Sequence, residues 1–102
     1  MVIVKVIETE EDSRDLFGRW NVNQIDNVMC SNYNANCNNT NIQDAYIVET
    51  MGSQDNSHPN RFIIPLCTEC YQGSIRMSHN QDIINYGITI SVKEDVLVRI
   101  DD

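Results

Sequence analysis

Four cysteines, arranged as two local pairs, constrain this chain more than any other feature. Cys30 and Cys37 enclose six residues, whereas Cys67 and Cys70 enclose two. Thiolates separated by two residues can reach one tetrahedral ion, and this spacing is typical of structural zinc sites. A chain of 102 residues buries only a modest fraction of its surface, so a bound metal would add useful folding free energy. We therefore expect all four cysteines to hold one structural zinc ion.

The same cysteines admit three other interpretations. Two disulfides have three possible connectivities, but the N-terminal segment runs from apolar to acidic, the wrong order for a signal peptide. A redox Cys-x-x-Cys normally lies in a βαβ pattern, which the sequence lacks. Free buried cysteines would leave the paired spacing unexplained. No apolar run approaches the roughly 20 residues that cross a bilayer, so we expect a cytoplasmic location, where thiols stay reduced.

Fifteen acidic residues against seven basic ones give the chain a formal net charge of −8. Proteins that bind a phosphate backbone use Lys and Arg to displace counterions, and the sequence has no basic stripe or Arg-rich recognition helix. An acidic field repels DNA and favours basic partners, although solubility alone also explains it. We expect no direct nucleic-acid binding and no membrane association.

The N-terminal part of the chain predicts a strand, a short helix and a long loop. Residues 1–8 alternate and are rich in β-branched side chains, as in a strand. Asp12 or Ser13 is a suitable N-cap for a helix that continues to Trp20. Residues 21–41 are crowded with Asn, which tolerates turn and left-handed conformations. Such a long loop needs an organiser in a small domain, and a metal would provide one.

The rest of the chain predicts a hairpin and two further strands. Residues 42–49 and 61–66 form the hairpin, which delivers the second cysteine pair at its end. Residues 81–86 suit a short helix. Residues 87–92 and 96–100 are expected to pair with each other, and this C-terminal segment is expected to share an antiparallel sheet with the N-terminal strand.

Two stretches of sequence carry a resemblance to a known family. The first is Ala45-Tyr46-Ile47-Val48, and the second runs from Phe62 through Pro65-Leu66-Cys67-Thr68-Glu69-Cys70 to Tyr71. With the two loop cysteines before them, residues 30–72 resemble the HNH (His-Me finger) endonucleases in their four-cysteine, zinc-stabilised form. The resemblance implies a small HNH-like, treble-clef ββα core at about 28–75. The antiparallel strands expected from 1–8 and 87–100 lie outside the resemblance and add to this core, so the whole sequence predicts an α+β fold in a single domain, 1–102.

Two positions depart from the family pattern, and both are chemically important. The family has a general-base His where this chain has Tyr46, and a His or Asn that helps hold the catalytic cation where it has Tyr71. A phenol, with an ordinary pKa of about 10, is a poor base at neutral pH. It is also a poor ligand for a hard divalent ion. The resemblance therefore implies a degenerate nuclease with no catalytic residues, in which the two tyrosines either form an interaction patch or are simply half-buried.

Other polar residues are weaker candidates for a catalytic role. His58 and His79 fall in loop-like segments, where a lone His is more often solvated than catalytic. Asp44, Glu49 and Asn60 lie near the expected groove, and Asp44 with Glu49 is the carboxylate pair to test as ligands of a hard cation. Each of the three is also an ordinary strand-edge or turn residue.

These observations favour a small cytoplasmic zinc-binding protein that acts by protein–protein interaction. Its partner, which the charge suggests is basic, is not named by the sequence; an acidic inhibitor of a nucleic-acid-binding protein, of phage or mobile-element type, fits the composition. The alternative is an active metal-dependent HNH-type endonuclease with a displaced catalytic group such as His58. A zinc-finger DNA binder fits least, because the chain lacks a basic recognition surface.

Overall fold

The computed structural model describes residues 2–32, 37, 39–50, 60–78 and 89–100. These residues form two helices and a five-stranded antiparallel sheet, so the predicted α+β class is confirmed. In chain order the elements are β1 (Val2–Ile7), α1 (Ser13–Trp20), β2 (Ala45–Thr50), β3 (Arg61–Pro65), α2 (Thr68–Ser78), β4 (Thr89–Val92), a 3-10 turn (Glu94–Val96) and β5 (Val98–Arg99).

The predicted hairpin forms the centre of the sheet. Strands β2 and β3 pair antiparallel from Ala45 opposite Pro65 to Glu49 opposite Arg61. Strand β2 begins at Ala45 rather than at Ile42, because the Ile42 amide donates instead to the Val28 carbonyl in the preceding loop. Residues 42–44, predicted as the start of the strand, therefore belong to the preceding loop.

The N-terminal strand joins the C-terminal segment as predicted, but the predicted pairing within that segment is wrong. Strand β1 pairs antiparallel with β4, whereas β5 pairs with β3, giving the order β4-β1-β2-β3-β5. Strands β4 and β5 thus lie at opposite edges of the sheet. Between them the Val96 carbonyl accepts a 2.7 Å hydrogen bond from the Trp20 indole. That contact ties the connection to α1, so the chain crosses the sheet instead of turning back.

Alternation along the strands creates two apolar faces. On the α2 face, the buried cluster includes Val4, Val48 and Ile64, with Ile75 of α2 packed against it. On the α1 face, Leu16 packs on a second cluster made by alternate strand residues, which are Ala45, Ile47 and Ile63. Each helix therefore covers one face of the same sheet.

Helix α1 begins as predicted. The Asp12 carboxylate caps it by accepting from the backbone amides of Arg14 and Asp15. Asp12→Ala should lower the free energy of unfolding by about 1 kcal/mol, because a capped amide loses its partner. Glu11→Ala removes the same charge from an exposed neighbour, so it should change stability far less in chemical denaturation. Equal losses in the two variants would contradict the capping role.

The described part of the Asn-rich loop contains no helix or strand. Asn27 and Asn41 both have φ of 57°, and Gln24 has 53°. The left-handed region suits Asn better than most residues, so the Asn content has the expected conformational consequence at two of these positions.

The local sequence pattern directly after Tyr71 predicts no element, but the structure has a helix there, α2. It begins at Thr68, inside the Cys-x-x-Cys turn, and continues to Ser78. Gln72 and Gly73 interrupt the apolar pattern of this segment, and the sequence pattern therefore does not predict the helix. The short helix predicted for 81–86 lies outside the described residues.

Candidate metal centre and tyrosine pair

The fold brings all four predicted ligands together. The sulfur atoms of Cys30, Cys37, Cys67 and Cys70 all lie within 4.8 Å of one another, and all four are free thiols. Two come from the Asn-rich loop, one from the junction between β3 and α2, and one from the first turn of α2. Residues remote in sequence thus converge on one point.

The sulfur spacing suits a tetrahedral ion. A zinc–sulfur bond of about 2.3 Å implies sulfurs about 3.8 Å apart at the corners of a tetrahedron. The Cys37 and Cys67 sulfurs are 3.8 Å apart, and none of the six pairs exceeds 4.8 Å. The sulfurs therefore need to approach one another by at most about 1 Å to reach that spacing. Four thiolates in this arrangement can hold zinc or another thiophilic metal.

Donor groups surround the sulfurs. The Cys67 amide donates to the Cys30 sulfur at 3.4 Å, and the Cys70 amide donates to the Cys67 sulfur at 3.4 Å. The Asn32 side-chain amide donates to the Cys70 sulfur at 3.5 Å. Such hydrogen bonds orient ligands and stabilise negative charge on sulfur.

The metal-free thiols differ in acidity. Burial raises the pKa of Cys30 to about 11 and also raises the pKa of Cys70. Burial acts in the same direction on Cys67, but hydrogen bonds from the Asn39 side chain and the Cys70 amide outweigh it and lower its pKa to about 7. At neutral pH Cys30 and Cys70 thus stay protonated without a metal, so metal binding must release protons.

The centre is connected to the hairpin and the core. Cys30 and Cys67 are each 8% exposed and belong to the buried cluster that contains Leu66. The Ser31 amide donates to the Pro65 carbonyl at 3.0 Å, fixing the loop to the end of β3. An ion at the centre would therefore lock the loop against the hairpin.

Next to the metal centre, two aromatic rings are stacked. The ring centroids of Tyr46, on β2, and Tyr71, on α2, are 3.8 Å apart, and the planes differ by 8°. Burial raises the pKa of both phenols. The carboxylate of Asp44 raises that of Tyr46 further, and Glu8 acts likewise on Tyr71. Both phenols therefore remain neutral at physiological pH.

The candidate hard-cation ligands are not brought together. Asp44, which immediately precedes β2, accepts a 2.7 Å hydrogen bond from the Ser13 hydroxyl. Glu49 lies near the other end of β2, about 16 Å along an extended strand, and forms an ion pair with Arg61 at 2.9 Å. Asn60 accepts from Arg99 at 2.9 Å. Each side chain has a local structural partner.

Two predicted candidates cannot be placed relative to the site, and three of its neighbours were not predicted. His58 and His79 lie outside the described residues. Sequence reasoning missed Asn32, Asn39 and Ser13 as neighbours of the site. The only signal for the first two was the abundance of Asn in the loop, which does not distinguish one Asn from another.

Comparison with protein-family models, with characterised proteins and with solved structures found no match for this chain. Among the described residues, neither helix has the length and apolar character needed to cross a bilayer.

Proposed function

We propose that this chain is a zinc-stabilised, HNH-like module that has no nuclease activity and acts by binding another protein. The observation that carries the proposal is the stacked pair of Tyr46 and Tyr71 beside the four-thiol centre. The pair occupies the two positions at which the resembled family has its general base and a cation-binding residue.

The order of the metal-binding elements supports a treble-clef arrangement. A loop pair, Cys30 and Cys37, precedes the β2–β3 hairpin, and Cys67 and Cys70 follow at the start of α2. An all-thiolate set with no open position is typical of structural zinc. The ion would serve the fold rather than a reaction.

The chemistry at the tyrosine pair argues against hydrolysis. A neutral phenol with a raised pKa is an ineffective base for water at pH 7. Rings 3.8 Å apart are in van der Waals contact, so neither a water molecule nor a cation fits between them. Asp44 and Glu49, the carboxylates considered for a hard cation, lie toward opposite ends of β2.

Charge and surface chemistry support a protein partner. The net charge of −8 opposes approach to a phosphate backbone, and half-buried tyrosines are common in protein interfaces. A basic, nucleic-acid-binding protein that this acidic module inhibits fits both properties. A cytoplasmic setting would keep the four thiols reduced for metal binding.

The nuclease test is direct. The zinc-loaded protein, incubated with supercoiled plasmid and Mg²⁺ or Mn²⁺, should produce no more nicked DNA than buffer, because the described residues include neither a competent base at the tyrosine pair nor an assembled hard-cation site. A characterised endonuclease in the same buffer verifies that nicking is detectable. Nicking that co-purifies with the protein and disappears in His58→Ala would instead establish the endonuclease alternative.

Protein binding needs its own measurement. The zinc-loaded protein should form a complex with a basic protein partner at physiological salt, detected by co-elution in size-exclusion chromatography after affinity capture. Failure to recover any partner at concentrations where the protein is folded would count against the binding proposal.

A further inference from the structure

Two carboxylates, those of Glu8 and Asp44, belong to residues next to Tyr46 in the fold. The register of β1 and β2 ends with Ile7 opposite Ile47, so the following residue, Glu8, continues toward Tyr46. Burial, and after it the Glu8 charge, raises the pKa of Tyr71. Asp44 directly precedes β2, two residues before Tyr46, and is held in place by the Ser13 hydroxyl at 2.7 Å. Strand pairing on one side and the Ser13 hydrogen bond on the other thus hold both acids next to Tyr46.

These groups are accessible to a partner. Tyr46, Tyr71 and Asp44 are half-buried, and Glu8 is exposed. The chain continues from Glu8 into an acidic stretch, because residues 8–15 contain five acidic side chains and one basic one. The surface therefore combines a fixed aromatic platform with concentrated negative charge.

This combination selects among ligand chemistries. A phosphate would be repelled by the acids, and a purely apolar side chain would remove water from the carboxylates and offer them no positive charge in return. An ammonium group satisfies the charge but uses the ring faces poorly. A guanidinium group does both, because it is planar, stacks on aromatic faces and donates paired hydrogen bonds to carboxylates.

We infer that Tyr46, Tyr71, Asp44 and Glu8 form a docking site for an arginine side chain of a basic protein partner. We call it the tyrosine–carboxylate site. The inference rests on the proposed protein-binding function and specifies which surface and which side chain carry the recognition.

The test uses the zinc-loaded chain and labelled hexa-arginine and hexalysine peptides of equal charge. Fluorescence anisotropy at physiological salt should show tighter binding of hexa-arginine. Amide chemical-shift changes should concentrate at the tyrosine–carboxylate site. Equal affinity for the two peptides, or shifts that map elsewhere, would overturn the assignment.

Matched variants separate the site from the general acidic field. Glu8→Gln combined with Asp44→Asn should weaken hexa-arginine binding roughly tenfold, through loss of both charge-assisted contacts. Glu94→Gln combined with Asp95→Asn removes the same charge from exposed positions in the 3-10 turn and should weaken it less than about threefold. Equal weakening by the two pairs would show that only the overall charge matters.

The aromatic contribution has a separate test. Tyr71→Leu should weaken hexa-arginine binding roughly threefold to fivefold, as expected for loss of an exposed cation–π contact. Tyr71→Phe preserves the ring and should bind nearly as well as the unmodified chain. If Tyr71→Leu does not fold, the comparison of the two carboxylate-to-amide double variants still tests whether arginine binds at the tyrosine–carboxylate site. Tyr71→Phe binding as weakly as Tyr71→Leu would exclude stacking on the ring.

The outcomes distinguish this inference from the function on which it rests. Complex formation with a basic protein that the site variants leave unchanged would refute the arginine site and retain the protein-binding function. Plasmid nicking by the zinc-loaded protein would refute the proposed function itself. Direct binding of a labelled single-stranded DNA oligonucleotide to the zinc-loaded chain, lost in Tyr71→Leu, would reassign the surface to nucleic acid.

Discussion

Cys70→Ser is expected to abolish metal retention and to lower the melting temperature of the protein more than any other single change considered. Structural zinc supplies on the order of 10 kcal/mol in small zinc domains, comparable with the whole stability of a domain of this size, about 5–15 kcal/mol. Cys70 is half-exposed, so its replacement removes a ligand while leaving the buried core intact. Metal analysis by native mass spectrometry and a thermal melt followed by circular dichroism measure the two effects.

Two controls make this experiment specific. Glu69→Gln changes an exposed neighbour in the same helical turn and should retain one metal ion per chain. A chelator should bring the unmodified protein to the melting temperature of Cys70→Ser and leave that variant unchanged. A Cys70→Ser protein that melts like the unmodified chain would show that the four thiols do not hold a stabilising ion.

The metal centre could be predicted because its signal is local. Two residues between Cys67 and Cys70 place both sulfurs on one turn, and the polar loop around Cys30 and Cys37 needs an organiser. The strand-like segments around it then limit the ways in which the pairs can meet. The structure bears out the convergence of the four sulfurs, whereas the identity of the metal remains part of the proposal.

The predicted pairing of β4 with β5 is wrong because strand pairing depends on contacts between distant parts of the chain. Strands β4 and β5 are close in sequence, and a short polar connection between them is compatible with a hairpin. Their partners are instead decided by the sheet as a whole, with β1 and β3 each offering an edge. The Trp20–Val96 hydrogen bond joins residues 76 positions apart, and no local pattern encodes such a contact.

The tyrosine stack could be predicted only in part from the sequence. The resemblance placed Tyr46 and Tyr71 at corresponding positions of a ββα core, which implied proximity. Stacking also depends on how α2 is rotated about its axis, and that rotation follows from packing of residues such as Ile75 against the sheet. The side-chain donors Asn32 and Asn39 could not be predicted from the sequence either, because hydrogen bonding to sulfur imposes no sequence spacing.

An ion held by the four thiols would stabilise the same hairpin as the apolar core by different means, and Ile64→Ala separates the two contributions. Ile64 is fully buried on β3 and pairs opposite Tyr46. Truncating it should reduce the free energy of unfolding by about 2–5 kcal/mol, through lost apolar burial and the cavity left behind. Denaturant unfolding of the zinc-loaded protein measures this loss.

Ile3→Ala is the matched control, because it makes the same chemical change on a strand position that is 51% exposed. It should cost well under half as much as Ile64→Ala, since little apolar surface is uncovered. Ile64→Ala should still bind one metal ion per chain, in contrast to Cys70→Ser, because Ile64 contributes no ligand. Loss of the ion from Ile64→Ala in the folded state would mean that the core positions the thiols, and that the two sources of stability are one cooperative unit.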